Sequence, residues 1–280
     1  MVVEERKTEA DGLLIRYLTA GEGPPLLLLH ALGESALDWR WILSDLARTH
    51  RVYAPDLPGF GDSAKPAADY SPAFFERFAA AFFDALEVER TAVIGNSLGG
   101  LFALRLALSE SSRMSALALI DSAGLGREVS PALKWPALSG YGEAAIALSK
   151  TPLGATQRAW LRVPLLFAHP ERVPPEWFEE QYRLSQLPGF SQAVVAALRA
   201  QIDPGGQREV LLDRLSSLEI PTLVVWGDSD RIFPVSQARD AVAHLREGSL
   251  ELVPDCGHLP HVERPERFVA ALDRFLGEQA

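Results

Sequence analysis

The segment Gly95-Asn96-Ser97-Leu98-Gly99-Gly100 sets a serine among glycines at G-x-S-x-G spacing. The bare pattern is weak, and its setting gives it weight. An apolar strand-like run, residues 91–94, precedes it, and an apolar helix-like run, residues 98–108, follows. The serine therefore falls where a strand must turn sharply into a helix. Small neighbours let the two backbones approach closely there. The N–H groups of the new helix would face the negative charge that develops on a carbonyl oxygen under attack. The bland reading is a tight turn with a serine N-cap.

A serine hydroxyl is a weak nucleophile until a base takes its proton, and the base needs an orienting acid. Six histidines are available. His50, His169 and His244 fall in helical or cap context, where packing and surface roles are the ordinary reading. His258 lies in Pro254-Asp255-Cys256-Gly257-His258, a loop leaving the last strand. That places it at the C-terminal edge of the sheet, where open α/β sheets bind ligands. His261, three residues on, is its competitor. For the acid, Trp226-Gly227-Asp228-Ser229-Asp230 leaves the penultimate strand at the same edge and offers Asp228 and Asp230, while Asp121 ends an earlier strand. Asp228 directly follows its strand and can bond the turn's own backbone, so Asp230 is favoured.

To converge, these groups need a sheet that delivers several loops to one edge. Residues 13–20, 25–30, 51–55, 91–95, 114–121, 222–226 and 250–254 read as strands. The four consecutive leucines of residues 26–29 mark a strand buried on both faces. Residues 72–86, 98–109, 236–245 and 265–276 have helical spacing, the first with Phe74, Phe75, Phe78, Phe82 and Phe83 on its packed side. Strands alternating with helices predict a mostly parallel sheet covered on both sides. Between residues 121 and 222 no strand pattern appears; residues 142–149, 174–187 and 191–202 read as helices separated by prolines. A structureless insert of that length is improbable. The expected layout is a core formed by residues 1–125 and 209–280, with a helical cap over 126–208.

With 48% hydrophobic and 23% charged residues, the 280-residue chain suits one globular core. A net charge of −10 argues against a nucleic-acid or anionic-membrane partner. The lone Cys256 can form no intramolecular disulfide, and its expected role is packing. Residues 1–10 carry charge and no apolar core, so no signal peptide is expected, and the apolar run 24–29 is too short to span a bilayer. A cytoplasmic protein acting on a small molecule is expected. No zinc-ligand spacing, P-loop or dinucleotide glycine pattern is present, so no cofactor is expected. Oligomeric state is not indicated. Trp135, Trp160, Trp177, Phe167, Phe178 and Phe190 make the cap aromatic; most should pack it onto the core and a few should line an apolar pocket.

Taken together, His30-Ala31-Leu32-Gly33, Asp56-Leu57-Pro58-Gly59-Phe60-Gly61-Asp62-Ser63, the serine turn, Gly227-Asp228-Ser229-Asp230 with Pro234, and Gly257-His258 closely resemble the α/β-hydrolase fold family. The order Ser97, Asp230, His258 is the order of that scaffold. The resemblance implies Ser97 as nucleophile, Asp230 as acid, His258 as base, and the backbone N–H groups of Leu32 and Leu98 as oxyanion hole. The family usually has His-Gly where this chain has His30-Ala31. Within the family, the serine turn, Asp230-Arg231-Ile232-Phe233-Pro234 and Cys256-Gly257-His258 look like carbon–carbon bond hydrolases of aromatic ring-cleavage products. Those enzymes typically carry a tryptophan after the histidine and a cap arginine that grips the substrate's acid group; here Leu259 follows His258, and Gln181 stands at the comparable cap position with Arg183 nearby. The expected activity is carboxylic-ester hydrolysis, with the carbon–carbon reaction as alternative and a non-turnover binding or sensing protein as the alternative of another class. Candidate pocket residues are Trp135, Trp160, Trp177, Gln181 and Arg183.

Overall fold

The computed structural model describes residues 2–149 and 151–278. Ten strands form: β1 (Glu4–Ala10), β2 (Leu13–Ala20), β3 (Pro25–Leu29), β4 (Arg51–Pro55), β5 (Thr91–Asn96), β6 (Met114–Ile120), β7 (Ile202–Asp203), β8 (Gly206–Gln207), β9 (Thr222–Gly227) and β10 (Gly248–Val253). Eight make one sheet in the order β1-β2-β4-β3-β5-β6-β9-β10, and the two-residue strands β7 and β8 pair separately. β1–β2 and β2–β4 run antiparallel; every later neighbour in the large sheet is parallel.

Alternation along each central strand feeds two cores. Leu27, Leu29, Val93, Leu117, Leu119, Val224 and Trp226 face one side, while Leu26, Leu28, Ile94, Ile120, Leu223 and Val225 face the other. That is why the leucine run tolerates no polar residue: both faces are covered. α2 (Pro72–Ala85) and α3 (Leu98–Ser109) pack on the first side. α2 starts at Ser71, whose side chain accepts the Phe74 N–H at 3.2 Å, and Pro72 occupies its first turn. Its five phenylalanines are all buried, each contributing about 1.5–3 kcal/mol. The short α1 (Leu43–Leu46) and the C-terminal α11 (Pro265–Gly277) cover the second side.

After β6 the chain leaves the sheet for α4 (Pro131–Ala137), α5 (Tyr141–Ser149), α6 (Pro152–Leu166), α7 (Pro175–Gln186) and α8 (Phe190–Gln201), and returns through β7 and β8 to β9. α9 (Ser236–His244) and α10 (Pro260–Glu263) complete the helices. The sequence reading contains neither β1 nor α6. β1 is an exposed, charged edge strand without apolar alternation. α6 carries Pro164 in its last turn and Pro152 in its first, and it begins at Thr151, whose hydroxyl accepts the Gly154 N–H at 3.0 Å. No helix among the described residues is long and apolar enough to cross a membrane.

Candidate active site

Ser97 joins β5 to α3 with φ 53° and ψ −113°, a backbone state costing a non-glycine residue about 1–3 kcal/mol. It is 7% exposed. The turn is held because a Cβ on Gly95 would lie 2.3 Å from the Gly99 carbonyl oxygen, and one on Gly99 would lie 2.2 Å from that of Leu29. The Ser97 N–H bonds the Ile120 carbonyl at 2.9 Å, locking the turn to β6.

His258 emerges just beyond β10. Its ring Nδ1 lies 2.9 Å from Asp230 Oδ2, and both side chains are buried. A carboxylate only accepts, so Nδ1 donates, and in the neutral ring it is Nε2 that carries the lone pair. The other Asp230 oxygen accepts the Ile232 N–H at 2.7 Å. Asn96 Nδ2 donates to the carbonyls of Ile120 and His258, at 3.0 and 3.2 Å, so the residue before the serine also ties down the histidine loop. The His258 N–H bonds the Leu166 carbonyl at the end of α6, 2.8 Å away. Ser97 and His258 line one cavity, and Leu32 and Leu98 stand in the same wall.

The competing groups lie elsewhere or are engaged otherwise. Asp228 accepts the N–H of Asp255 at 2.8 Å, a turn-stabilising role. His261 is buried against Trp39, with ring centroids 4.3 Å apart, and burial pushes its imidazole down to about 3. Asp121 lies close: one of its carboxylate oxygens, one from Asp230 and a His258 ring nitrogen all lie within 4.8 Å of one another. Burial and then the Asp230 charge hold its carboxyl well above the usual carboxylate range. His30 bonds the Ala31 carbonyl and accepts the Leu57 N–H at 2.9 Å, fixing the loop before Leu32; burial lowers it to about 4.

The cavity measures about 560 Å³ and is walled largely by aliphatic side chains, among them Leu98, Leu101, Leu133, Ile146, Leu165 and Leu198. None of Trp135, Trp160, Trp177, Gln181 and Arg183 lines it. Trp177 is fully buried against Phe167 and Phe178, while Trp135 and Trp160 face solvent. Arg183 reaches outward to Asp62 and Glu180. Gln181 is buried beneath the wall, where its Nε2 donates to Glu34 at 2.6 Å and its Oε1 accepts from Arg158 and Arg162. The cations that do line the cavity are Arg158 and Arg162, one helical turn apart on α6. Arg162 pairs with Glu34. Arg158 has only neutral oxygens: Gln181 Oε1 at 3.0 Å, and Ser185 Oγ and the Gly33 carbonyl at 3.4 Å. Burial, then the neighbouring Arg162 charge, lowers it to about 9. The i,i+4 arginine spacing was visible in the sequence, but only a helix over residues 152–166 makes it meaningful.

The family profile described as alpha/beta hydrolase fold matches residues 24–265. The 2-hydroxymuconate semialdehyde hydrolase of Pseudomonas sp. (strain CF600) is 32% identical over 98% of this chain and 94% of its own. Among solved structures, a membrane phospholipase A described as a bacterial virulence factor is 30% identical, with TM-score 0.80 over 99% of this chain and 86% of that one. The meta-cleavage product hydrolase CumD of Pseudomonas fluorescens IP01 is 25% identical, with TM-score 0.84 over 98% of both chains.

Proposed function

From the premise that the chain is a hydrolase belonging to the alpha/beta hydrolase fold family, we propose that it cleaves carboxylic esters of small, largely apolar substrates through an acyl-enzyme on Ser97. The observation that carries this reading is the aliphatic cavity that includes Ser97 and His258 in its wall. Such a wall binds an acyl chain through buried apolar area, at about 25 cal/mol per Å². His258 Nε2 takes the Ser97 proton as the serine oxygen bonds the ester carbonyl carbon. The displaced electron pair settles on the carbonyl oxygen, facing the N–H groups of Leu32 and Leu98. Collapse expels the alcohol, which takes the proton from His258. Water, deprotonated by the same imidazole, then bonds the acyl carbon, and the acyl–serine bond breaks as Ser97 Oγ takes the proton back from His258. Asp230 holds the imidazole's tautomer throughout.

Arg158 supports a second reading. Glu34 is matched by Arg162 and Glu180 by Arg183, but Arg158 has no carboxylate partner among the described residues. An anionic substrate group would supply one, as in carbon–carbon hydrolysis of ring-cleavage dienone acids. Relatives named as a semialdehyde hydrolase and a meta-cleavage product hydrolase suit that reaction. Assaying nitrophenyl esters of graded acyl length beside a dienone acid, with one preparation, tests both. Preferred ester turnover that vanishes in Ser97→Ala supports the first reading. A hundredfold preference for the dienone acid establishes the second, and no turnover of either by the folded protein leaves a binding or sensing role.

A further inference from the structure

Asp121 is a buried carboxyl within reach of both Asp230 and His258 to which the reaction above gives no task. It ends β6 at φ 41°, in the left-handed region. Its N–H bonds the Val225 carbonyl at 3.0 Å, and its Oδ1 accepts the Gly227 N–H at 3.0 Å, so it is fastened to β9 where that strand runs out toward Asp230. Its Oδ2 is fully buried and meets no N–H or hydroxyl donor. The nearby acceptor is Asp230 itself, with carboxylate oxygens of the two residues within 4.8 Å.

Two carboxylates cannot both be charged so close together in a buried site. Asp230 receives two N–H donors, from His258 and Ile232, whereas Asp121 receives only that of Gly227. The charge therefore belongs on Asp230 and the proton on Asp121. The other ionisable groups facing Asp121 do not alter this. Glu263 accepts three backbone N–H groups, from Ala168, His169 and Gly257, and burial pushes the Cys256 thiol up, with Arg264 beyond it.

We propose that Asp121 is a positioning residue that carries a proton: its neutral carboxyl group donates a hydrogen bond to the Asp230 carboxylate and so fixes the orientation and single charge of the group that holds His258. The inference rests on the assignment of Asp230 and His258 under the proposed function. Donation into Asp230 disperses its charge, which keeps the imidazole from being too strongly protonated to act as a base.

The test compares the pH profile of kcat/KM on a nitrophenyl ester for wild type, Asp121→Asn and Asp121→Ala. The amide still donates to Asp230 and accepts from Gly227, so Asp121→Asn should stay within about threefold of wild type, with its acid limb unmoved. The alanine variant loses the donor; its rate should fall roughly tenfold and its acid limb move upward by about half a unit or more. A downward shift of about one unit or more in Asp121→Asn would mean that Asp121 is ionised, and overturns the proposal. So does an alanine variant indistinguishable from wild type, or an asparagine variant as impaired as alanine. Infrared spectroscopy of the unliganded protein at neutral pH adds a readout that survives if the alanine variant does not fold. Asp38, whose buried carboxyl is also held well above the usual carboxylate range, is unchanged between the two proteins, so the wild-type minus Asp121→Asn difference spectrum should contain one neutral-acid carbonyl stretch; a difference spectrum without it overturns the proposal. Failure of every ester to turn over would reject the functional reading, while the infrared band still judges Asp121.

Discussion

Replacing Arg158 with methionine separates the two substrate readings, because the same cation has opposite value in each. Its guanidinium is lowered to about 9, well below the ordinary arginine value, by burial and then by the neighbouring Arg162 charge. At about 1.36 kcal/mol per pH unit this is on the order of 5 kcal/mol against the charged form, an upper bound because the side chain is partly exposed. The folded pKa lies below the unfolded one, so the cost is present in full below about pH 9 and is relieved as pH rises above it. Methionine fills similar space, keeps contact with Phe190 and leaves Gln181 still bonded to Arg162. After allowing for the lost bonds to Gln181, Ser185 and Gly33, urea denaturation at pH 7 should show a gain of about 1–3 kcal/mol. Nitrophenyl ester kcat/KM should stay within about threefold, since a neutral ester makes no use of the cation. If the substrate is anionic, the variant should instead lose about a hundredfold or more on the dienone acid. A variant destabilised by more than about 2 kcal/mol would refute the claim that this charge, without a carboxylate partner, costs the fold stability. A hundredfold loss on neutral esters would refute the role given to the aliphatic wall.

Ser97→Ala should lower ester turnover by about four to six orders of magnitude with the fold retained, and a serine-directed phosphonate should label the wild type but not the variant. Asp230→Asn should cost about 10³–10⁴-fold in kcat, whereas Asp228→Asn, whose carboxylate bonds the Asp255 N–H and the Ser229 hydroxyl within the turns, should stay within about tenfold; steady-state kinetics of the pair would reject the assignment if the order were reversed. His261 is neutral in the fold, with its pKa pushed down to about 3, so the unfolded chain takes up a proton first as pH falls below about 6.5 and the fold loses stability. By pH 4 that loss is on the order of 3 kcal/mol. His261→Phe, which keeps the packing on Trp39, should remove it, and denaturation curves showing that wild type and variant lose the same stability between pH 7 and pH 4 would disprove the attribution.

Much of this arrangement is legible in the residues because the local signals agree. The leucines of β3 and the phenylalanines of α2 mark buried faces, and the glycines around Ser97 mark a turn with no room for a Cβ, so together they place the serine turn at the edge of a covered sheet. What is not legible depends on partners distant in the chain. β1 has no apolar alternation because it lies exposed at the sheet edge, held by pairing with β2. The tryptophans of the cap suggest a pocket by their chemistry, but Trp177 is spent on packing and two others face solvent. Gln181 and Arg183 are candidate substrate contacts in the sequence because they stand at and near the cap position where the resembling enzymes carry an arginine. Only the crossing of α6 over Glu34 shows that Gln181 braces two arginines and that Arg183 turns to Asp62.

The pairing of β6 with β9 has a consequence for how freely the pocket can be rebuilt. Ile120 meets Val225 and Leu117 meets Thr222, so roughly a hundred residues are looped out between adjacent strands. Loop-closure entropy grows only with the logarithm of length: doubling the excursion costs about 0.6 kcal/mol, and trimming it to a dozen residues recovers about 2 kcal/mol. Such sums are small beside the burial that holds the sheet. The segment that shapes the cavity can therefore lengthen, shorten or exchange helices over generations with little thermodynamic penalty to the strands that carry Ser97, Asp230 and His258, and new substrate ranges are open to this chain without renegotiating its foundation.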